Sequence, residues 1–285
     1  MRPAFHILSF LFAALAFSVQ AKDKAPAPVD AGPYVPSPSS VVADMLTLAE
    51  VGPKDFVIDL GSGDGRIVLT AAKVFGARGF GVDINEKLVK EANESARQQG
   101  IADRAKFTIQ DLFKADISKA TVVTMYLLPK TVNMLKEKLL KDLRPGTRIL
   151  SHDYPLDGWE ADDFRQFDLD DKVAVTGVTT TLIYMYLVPA KAEGNWSVKL
   201  PAALGKEPSR LNIKQTRVTR ISGGATIDGK EFPMENPKLR GERLTFRLFV
   251  SGKPYDFAGM VRGQQIDGTV EGSGIKGVWS AAAAK

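Results

Sequence analysis

The sequence contains no cysteine and only two histidines in 285 residues. Without cysteine the chain can form no disulfide, so it neither gains stability from cross-links nor risks wrong ones in an oxidising compartment. His6 lies in the amino-terminal segment, which leaves His152 as the other imidazole of the chain. A cysteine nucleophile is therefore excluded, whereas a reaction that depends mainly on positioning two reactants is not.

Long apolar runs are also absent, except at the amino terminus. Met1-Arg2 is followed by an apolar stretch, Phe5–Ala21, that ends in small residues. This order is typical of a secretory signal peptide cleaved after Ala21. An uncleaved anchor is the alternative, although the stretch is short for the ~20 residues that span a bilayer. We therefore predict a signal peptide over residues 1–21 and a mature protein in the bacterial periplasm.

No basic run is interleaved with aromatic residues, so we do not expect a nucleic-acid partner. Charge is nevertheless distributed unevenly along the chain. Residues 191–285 carry 16 Lys and Arg against 9 Asp and Glu, a net charge of +7, whereas residues 22–190 carry 21 against 24, a net charge of −3. The basic part could contact anionic surfaces of the cell envelope. Solubilising charge on exposed strand positions is the simpler alternative.

The strongest local signal is a glycine-rich turn between an apolar segment and a helical one. Val57–Leu60 leads into Gly61-Ser62-Gly63-Asp64-Gly65, and the next apolar segment ends in Asp83-Ile84. Glycines let a ligand lie against the main chain, and an acidic residue at the second strand end can accept ribose hydroxyls. Asp59 and Asp64 would repel a pyrophosphate but attract a cationic amino or sulfonium group. The pattern predicts a nucleotide-like ligand that carries positive charge.

These motifs resemble the class I S-adenosylmethionine-dependent methyltransferases, in which an acidic residue precedes G-x-G-x-G. The resemblance continues through residues 107–113, which look like the third-strand end that reads the adenine, and through residues 121–129 and 143–152. It implies S-adenosyl-L-methionine as the cofactor, and we expect no metal. The cofactor-binding residues predicted in this way are Asp59, Gly61, Ser62, Gly63, Asp64, Gly65, Asp83, Ile84, Asp111 and Leu112.

Export and this cofactor are in tension, because S-adenosylmethionine is made in the cytosol. Either the cofactor reaches the exported protein by some route, or the glycine turn serves another molecule. The sequence leaves both possibilities open.

Strand-like and helical segments alternate from Phe56 to Tyr154, which predicts an α/β fold with a Rossmann-like, doubly wound, mostly parallel sheet. Lys172–Val178 and Thr179–Val188 leave no room for a helix between them, so we predict an antiparallel hairpin that closes the sheet, as expected of these methyltransferases. Beyond Ala190, β-forming residues and glycine turns predict a small antiparallel β-meander or partly closed barrel. The predicted divisions after the signal peptide are a tether and loop (22–38), a cofactor-binding domain (39–190) and a β-domain (191–285).

A narrower resemblance concerns the segment before the first helix. Gly32–Pro38 is similar to a stretch in a methyltransferase group that includes the mitochondrial ATP-synthase c-subunit lysine methyltransferase and its prokaryotic relatives, and that group also shares the run Asp64–Val68. The resemblance covers the catalytic domain only. It implies methyl transfer by in-line displacement, with a protein lysine amine as one possible acceptor.

Three side chains are candidates for the acceptor side of the site. Tyr34 lies in the loop before the first helix, Tyr126 ends the fourth strand and could orient a nucleophile, and His152 ends the fifth strand and could act as a base. Tyr126 could instead simply pack, and His152 could be a hydrogen-bonded residue of the rim. Residues 126–129 lack the Asn-Pro-Pro-Tyr pattern by which related methyltransferases hold a planar amide or a base amine. This difference argues against methylation of DNA or glutamine.

Two other functions stay open at this point. One is an exported ligand-binding protein that keeps a methyltransferase-like pocket without catalysis. The other is a small-molecule methyltransferase with an oxygen or carbon acceptor.

Overall fold

The computed structural model describes residues 34–170, 172–173, 177–205 and 208–284, which form two β-sheets. The predicted signal peptide, residues 1–21, and residues 22–33 of the predicted tether lie outside the described residues. Within the described ranges, no helix combines the length and apolarity needed to cross a membrane.

The first sheet has seven strands and is the Rossmann-like part of the molecule. Its strands are β1 (Phe56–Leu60), β2 (Arg78–Asp83), β3 (Ala105–Ile109), β4 (Val122–Met125), β5 (Arg148–His152), β6 (Asp163–Asp168) and β7 (Thr180–Leu187). Its helices are α1 (Ser39–Leu48), α2 (Arg66–Lys73), α3 (Glu86–Gln98) and α4 (Pro129–Asp142). The strand order is β3-β2-β1-β4-β5-β7-β6, and β7 runs antiparallel to both of its neighbours.

Helices cover both faces of this sheet, as the alternating segments predict. The buried side chains of α4, such as Leu135 and Leu139, pack in one apolar cluster with Ile58 of β1. On the opposite face, α1 and α2 pack against β1 through residues such as Met45 and Ile67. Parallel strands covered on both faces end at one edge. We call the edge at which β1 to β5 end the carboxyl edge and the opposite one the amino edge.

The predicted closing hairpin exists, but its first strand was placed wrongly. The first strand of the hairpin is β6, whereas Lys172 and Val173 lie in a helical turn between β6 and β7. Because β6 is the edge strand, almost all of its residues are exposed. An exposed edge strand shows little apolar alternation, which is why the sequence pattern missed it.

The second sheet contains nine antiparallel strands and forms the carboxyl-terminal part. They are β8 (Gly194–Lys199), β9 (Ser209–Thr216), β10 (Arg220–Ile227), β11 (Lys230–Pro233), β12 (Glu235–Arg240), β13 (Arg243–Val250), β14 (Lys253–Arg262), β15 (Gln265–Gly272) and β16 (Ile275–Ala283). Two stretches rich in β-forming residues, 211–221 and 269–278, each contain a tight turn, after Thr216 and after Gly272 respectively.

The second sheet curls toward a partly closed barrel. Its edge strands are β11 and β12, which are consecutive in the chain and separated only by Met234. Two edges joined by one residue must lie close together at that point. The interior is apolar, with the rings of Phe246 and Phe257 stacked at 4.9 Å and Trp279 packed edge-on against both.

The second sheet is attached at the amino edge of the first. The amide of Ala190, just beyond β7, donates to the carbonyl of Gly241 at 2.8 Å. Nearby, the guanidinium of Arg240 donates to Asp162 at 3.0 Å. The β-domain therefore lies away from the carboxyl edge and leaves that edge uncovered.

Candidate functional site

The glycine-rich turn follows β1 at the carboxyl edge and ends where α2 begins. Gly63 has a φ of +51°, a conformation that costs other residues free energy. A Cβ atom on Gly63 would lie 2.3 Å from the ring of Tyr34. Tyr34 thus covers Gly63 directly, at the place where the sequence analysis expected the ligand to meet the main chain. The loop that contains Tyr34 and the glycine turn form one wall together.

Asp83, at the end of β2, is held by the turns on either side of it. Its two carboxylate oxygens accept hydrogen bonds from the amides of Gly63 and Asn85, each at 2.8 Å. A carboxylate has about four acceptor positions, so two remain for a ligand. Asp83 lines the cavity and is placed to accept two hydroxyls, as the sequence predicts for a ribose.

Asp59 lies in the floor of the cavity and is almost completely buried, with 2% of its surface exposed. The hydroxyl of Thr124 donates to one of its oxygens at 2.7 Å. Burial raises the pKa of Asp59 to about 7, and the nearby charges of Asp83 and Asp64 add to the shift. A cation in the cavity would favour the ionised form.

Asp64 and Arg66 form an ion pair that the sequence pattern did not predict. Arg66 binds the carboxylate of Asp64 at 2.6 Å and also donates to the carbonyl of Ser37 at 2.8 Å. Burial alone would raise the pKa of Asp64, but the hydrogen bonds and charge of Arg66 outweigh it and lower the pKa. Asp64 is thus already paired, and its role is to fasten the loop that contains Ser37 over the glycine turn.

Ile84, Asp111 and Leu112 complete the predicted cofactor side. All three line the cavity. The carboxylate of Asp111 also accepts a hydrogen bond from the amide of Phe113 at 2.9 Å. This bond fixes the short 3₁₀ turn after β3. The ends of β2 and β3 thereby bound one end of the cavity.

Tyr126, just after β4, bounds the other end. Its hydroxyl donates to Asp153 at 3.2 Å, and its ring lies on that of His152 with the centroids 3.9 Å apart. Burial, and then the charge of Asp153, raises the pKa of Tyr126 above its usual value. Tyr126 therefore stays protonated and offers a hydroxyl rather than a phenolate to the cavity.

His152 is fully buried behind Tyr126 and does not line the cavity. Its Nδ1 lies 2.8 Å from the hydroxyl of Ser37, and its Nε2 lacks a hydrogen-bond partner among the described residues. Burial lowers the pKa of His152 to about 4. The predicted role as a base in contact with substrate has no geometric support here, and the structure instead places His152 as a support for Tyr126 and the Ser37 loop.

The cavity has a volume of about 410 Å³, in the range of small-molecule sites. Ten of the thirteen predicted site residues line it, whereas Gly63, Gly65 and His152 do not. Gly63 lies beneath Tyr34, and a Cβ on Gly65 would touch the ring of Phe107 at 2.5 Å. The predicted residues that line the cavity are Tyr34, Asp59, Gly61, Ser62, Asp64, Asp83, Ile84, Asp111, Leu112 and Tyr126.

These residues fit S-adenosylmethionine on structural grounds. Asp83 keeps acceptor positions for ribose hydroxyls, Asp59 is a buried carboxylate that a cation would ionise, and the buried hydroxyl of Ser62 lacks a partner among the described residues. When bound, this cofactor supplies an electrophilic methyl group on a sulfonium. In the part of the chain that the structure describes, no group of three potential metal ligands occurs.

Comparisons with known proteins agree with this interpretation. Residues 59–163 match the ANTKMT methyltransferase domain. A protein-lysine N-methyltransferase from Saccharolobus islandicus is 48% identical over 128 residues, which is 45% of this chain and 80% of that protein. The lysine N-methyltransferase of Xenopus laevis that is named for the ATP synthase c-subunit is 32% identical over 130 residues, covering 46% of this chain and 57% of that protein.

A solved structure is also similar. An RNA methyltransferase from Salinibacter ruber, in complex with S-adenosyl-L-homocysteine, is 45% identical, with a TM-score of 0.50 over 55% of this chain and 95% of that chain. That relative binds S-adenosyl-L-homocysteine, which is what the cofactor becomes after methyl transfer, and this agrees with the cavity described above. The chain therefore belongs to the methyltransferase family defined by the ANTKMT methyltransferase domain, and it is an S-adenosylmethionine-dependent methyltransferase.

Proposed function

We propose that this methyltransferase transfers the methyl group to a lysine side-chain amine of a protein. The observation that carries the proposal is the 48% identity with a protein-lysine N-methyltransferase, which covers 80% of that protein. The vertebrate relative described above is also named for a lysine acceptor.

The acceptor end of the cavity suits an amine. Tyr126 presents a hydroxyl whose proton is already engaged by Asp153, so its lone pairs can accept an N–H. Tyr34 and Leu127 supply apolar surface to the same cavity, and a desolvated site favours the neutral, nucleophilic form of an amine. Positioning the amine in line with the methyl group supplies most of the rate acceleration.

The acceptor is tested by labelling. Cells of the source organism that lack this protein are extracted, and the extract is incubated with the purified enzyme and S-adenosylmethionine carrying a tritiated methyl group. We expect label in protein, recovered as methyllysine by mass spectrometry. The Asp83→Ala variant, in which we expect weaker cofactor binding, serves as the control and should transfer less label. Label in RNA but not in protein would favour an RNA acceptor, as the name of the Salinibacter ruber relative suggests, and would overturn the proposal.

We also propose that the protein is exported and works at the cell envelope. The support is the amino-terminal sequence, with an apolar stretch that ends at Ala21, and the net charge of +7 over residues 191–285. The β-domain is attached at the amino edge, so its basic surface can contact an anionic surface while the carboxyl edge stays accessible. The proposal therefore also requires that the cofactor reaches that compartment.

Export has a direct test. Sequencing the amino terminus of the protein from its native cells should give Lys22 as the first residue, in a periplasmic fraction. A retained Met1 in a cytosolic fraction would contradict export. Binding of the purified protein to vesicles with and without anionic lipid then tests envelope contact, which should fall steeply with added salt.

A further inference from the structure

Behind Tyr126, the partly buried Asp153 forms an ion pair with the buried Lys172. Asp153 follows β5 directly, with a φ of +64° that non-glycine residues rarely adopt. Its Oδ1 accepts hydrogen bonds from Lys172 at 2.7 Å and from the amide of Leu182 at 3.1 Å. Its Oδ2 accepts from the hydroxyl of Tyr126 at 3.2 Å. Lys172, 5% exposed, reaches this point from the connection between β6 and β7.

We propose that Asp153 and Lys172 are positioning residues that fix the hydroxyl of Tyr126 as a hydrogen-bond acceptor toward the cavity, and that this selects an acceptor group carrying N–H bonds. The inference deepens the proposed amine acceptor and rests on it.

The direction of the hydrogen bond follows from the groups present. A carboxylate beside a lysine ammonium can only accept, so the Tyr126 proton must point toward Asp153. The oxygen of Tyr126 is left with lone pairs for the cavity, which Tyr126 lines. The ring of His152 lies against that of Tyr126, with the centroids 3.9 Å apart, and hinders Tyr126 from turning away. An amine can donate to this oxygen, whereas an ionised oxygen nucleophile cannot.

One substitution reverses this arrangement with little change of shape. In Asp153→Asn, the amide oxygen must face the two donors at Oδ1, Lys172 and Leu182, because an NH₂ group there would meet two other donors. The NH₂ group then faces Tyr126 and donates to it. The Tyr126 proton is consequently turned into the cavity, so the same side chain becomes a donor to the ligand.

Ligand binding reads out the direction without any acceptor substrate. Sinefungin carries an amino group in place of the methyl group of the cofactor, whereas S-adenosyl-L-homocysteine has no group at that place. The ratio of their two dissociation constants therefore reports how the protein treats an amine at the transfer position. Calorimetry on the full chain measures both constants, and the homocysteine affinity together with the melting temperature shows whether a variant is folded.

We expect the preference for sinefungin to fall about tenfold in Asp153→Asn, equivalent to about 1.4 kcal/mol. It should fall also in Tyr126→Phe, which keeps the ring on His152. The double variant should show no further loss, because Asp153 acts through Tyr126. An unchanged ratio in Tyr126→Phe, or an additive loss in the double variant, overturns the proposal. If Asp153→Asn does not fold, an unchanged ratio in Tyr126→Phe still overturns the proposal, because Asp153 and Lys172 act only through the hydroxyl of Tyr126. Absence of methyllysine in the labelling assay would refute the proposed function without affecting these ratios, so the two failures are distinguishable.

Discussion

Asp83 and Asp59 show how two carboxylates of one cavity acquire different properties from their surroundings. Asp83 sits at its strand end with two amide donors and a partly exposed position, whereas Asp59 is enclosed and has one hydroxyl donor. Burial raises the pKa of Asp59 to about 7. We therefore expect Asp83 to act as a fixed hydroxyl acceptor and Asp59 as a charge that forms when the cofactor binds.

Replacing Asp83 tests the first role. Asp83→Ala removes the acceptors for the ribose hydroxyls, so S-adenosylmethionine should bind more weakly by about 1.5–3 kcal/mol in calorimetry. Asp83→Asn, which can still accept the amide of Gly63 or of Asn85, should lose less. Equal affinity of the wild type and the alanine variant would remove Asp83 from the site.

The expected ionisation of Asp59 on cofactor binding predicts that the affinity for the cofactor depends on pH. Because the pKa of Asp59 is about 7 in the folded protein without ligand, a cationic ligand must displace a proton below that pH. The affinity for S-adenosylmethionine should therefore decrease between pH 8 and pH 6, by up to about tenfold per unit at the acid end. Asp59→Asn should bind weakly at both pH values and show no such slope. A wild-type affinity that is flat across this range would contradict the prediction.

The raised pKa of Asp59 also makes the folding stability depend on pH. The folded pKa of Asp59 lies above its unfolded value of 3.8, so the folded protein without ligand binds the proton more tightly than the unfolded chain. This contribution to stability is complete below about pH 4 and is lost as the pH rises through about 7. Bound cofactor should oppose the loss, since it stabilises the carboxylate.

At the level of elements, the glycine turn and the Tyr34 loop act together. Gly63 and Gly100 both have positive φ, but a Cβ would meet the Tyr34 ring at Gly63 and no atom within 4 Å at Gly100. Alanine at either position should cost about 1 kcal/mol of folding free energy for the backbone conformation. Only Gly63→Ala should also displace Tyr34 and weaken cofactor binding, by about tenfold or more.

Gly100→Ala is the matched control for this pair, since it carries the same backbone cost without the clash. Thermal unfolding gives the stability and calorimetry gives the affinity. If both variants bound the cofactor as tightly as the wild type, Tyr34 would have no part in holding it.

At the level of the whole molecule, the apolar core of the second sheet is distinct from the apolar clusters that cover the first sheet. The interior of the second sheet is formed by residues of the carboxyl-terminal part, and the cavity is lined by residues between Tyr34 and Leu127. We expect two unfolding transitions in calorimetry. A ligand at one hundred times its dissociation constant stabilises the unit that binds it by about 2.7 kcal/mol. Each kcal/mol raises the melting temperature of a unit of this size by roughly 2–4 °C.

S-adenosylmethionine should therefore raise one transition and leave the other in place. Asp83→Ala, with weakened binding, should show a smaller rise. A single transition that moves as a whole would mean that the contacts of Arg240 and Gly241 with the first sheet couple the two units into one.

The sequence was sufficient for those features that depend on neighbours in the chain. The apolar run of β1, the glycines after it and the acidic residue after β2 are local patterns. Together with the resemblance that they support and the candidates at the loop and strand ends, they led to thirteen predicted site residues, of which ten line the cavity. The edge strand β6 was misplaced because its exposed residues leave no apolar alternation. The same local reasoning could have pointed to Arg66 and Asp153, which directly follow the motifs, but nothing local indicated their partners.

Those partners were decided by tertiary structure alone. Ser37 meets His152 across 115 positions of the chain, and Lys172 reaches Asp153 only because β7 is inserted between β5 and β6. From the sequence, periodicity and glycine placement predicted a ligand site at the carboxyl edge, where the cavity lies, since strand ends and turns are encoded by adjacent residues. The state of each side chain there, whether paired, protonated or turned toward the cavity, depends on burial and on distant residues, and only the packed sheet brings those together.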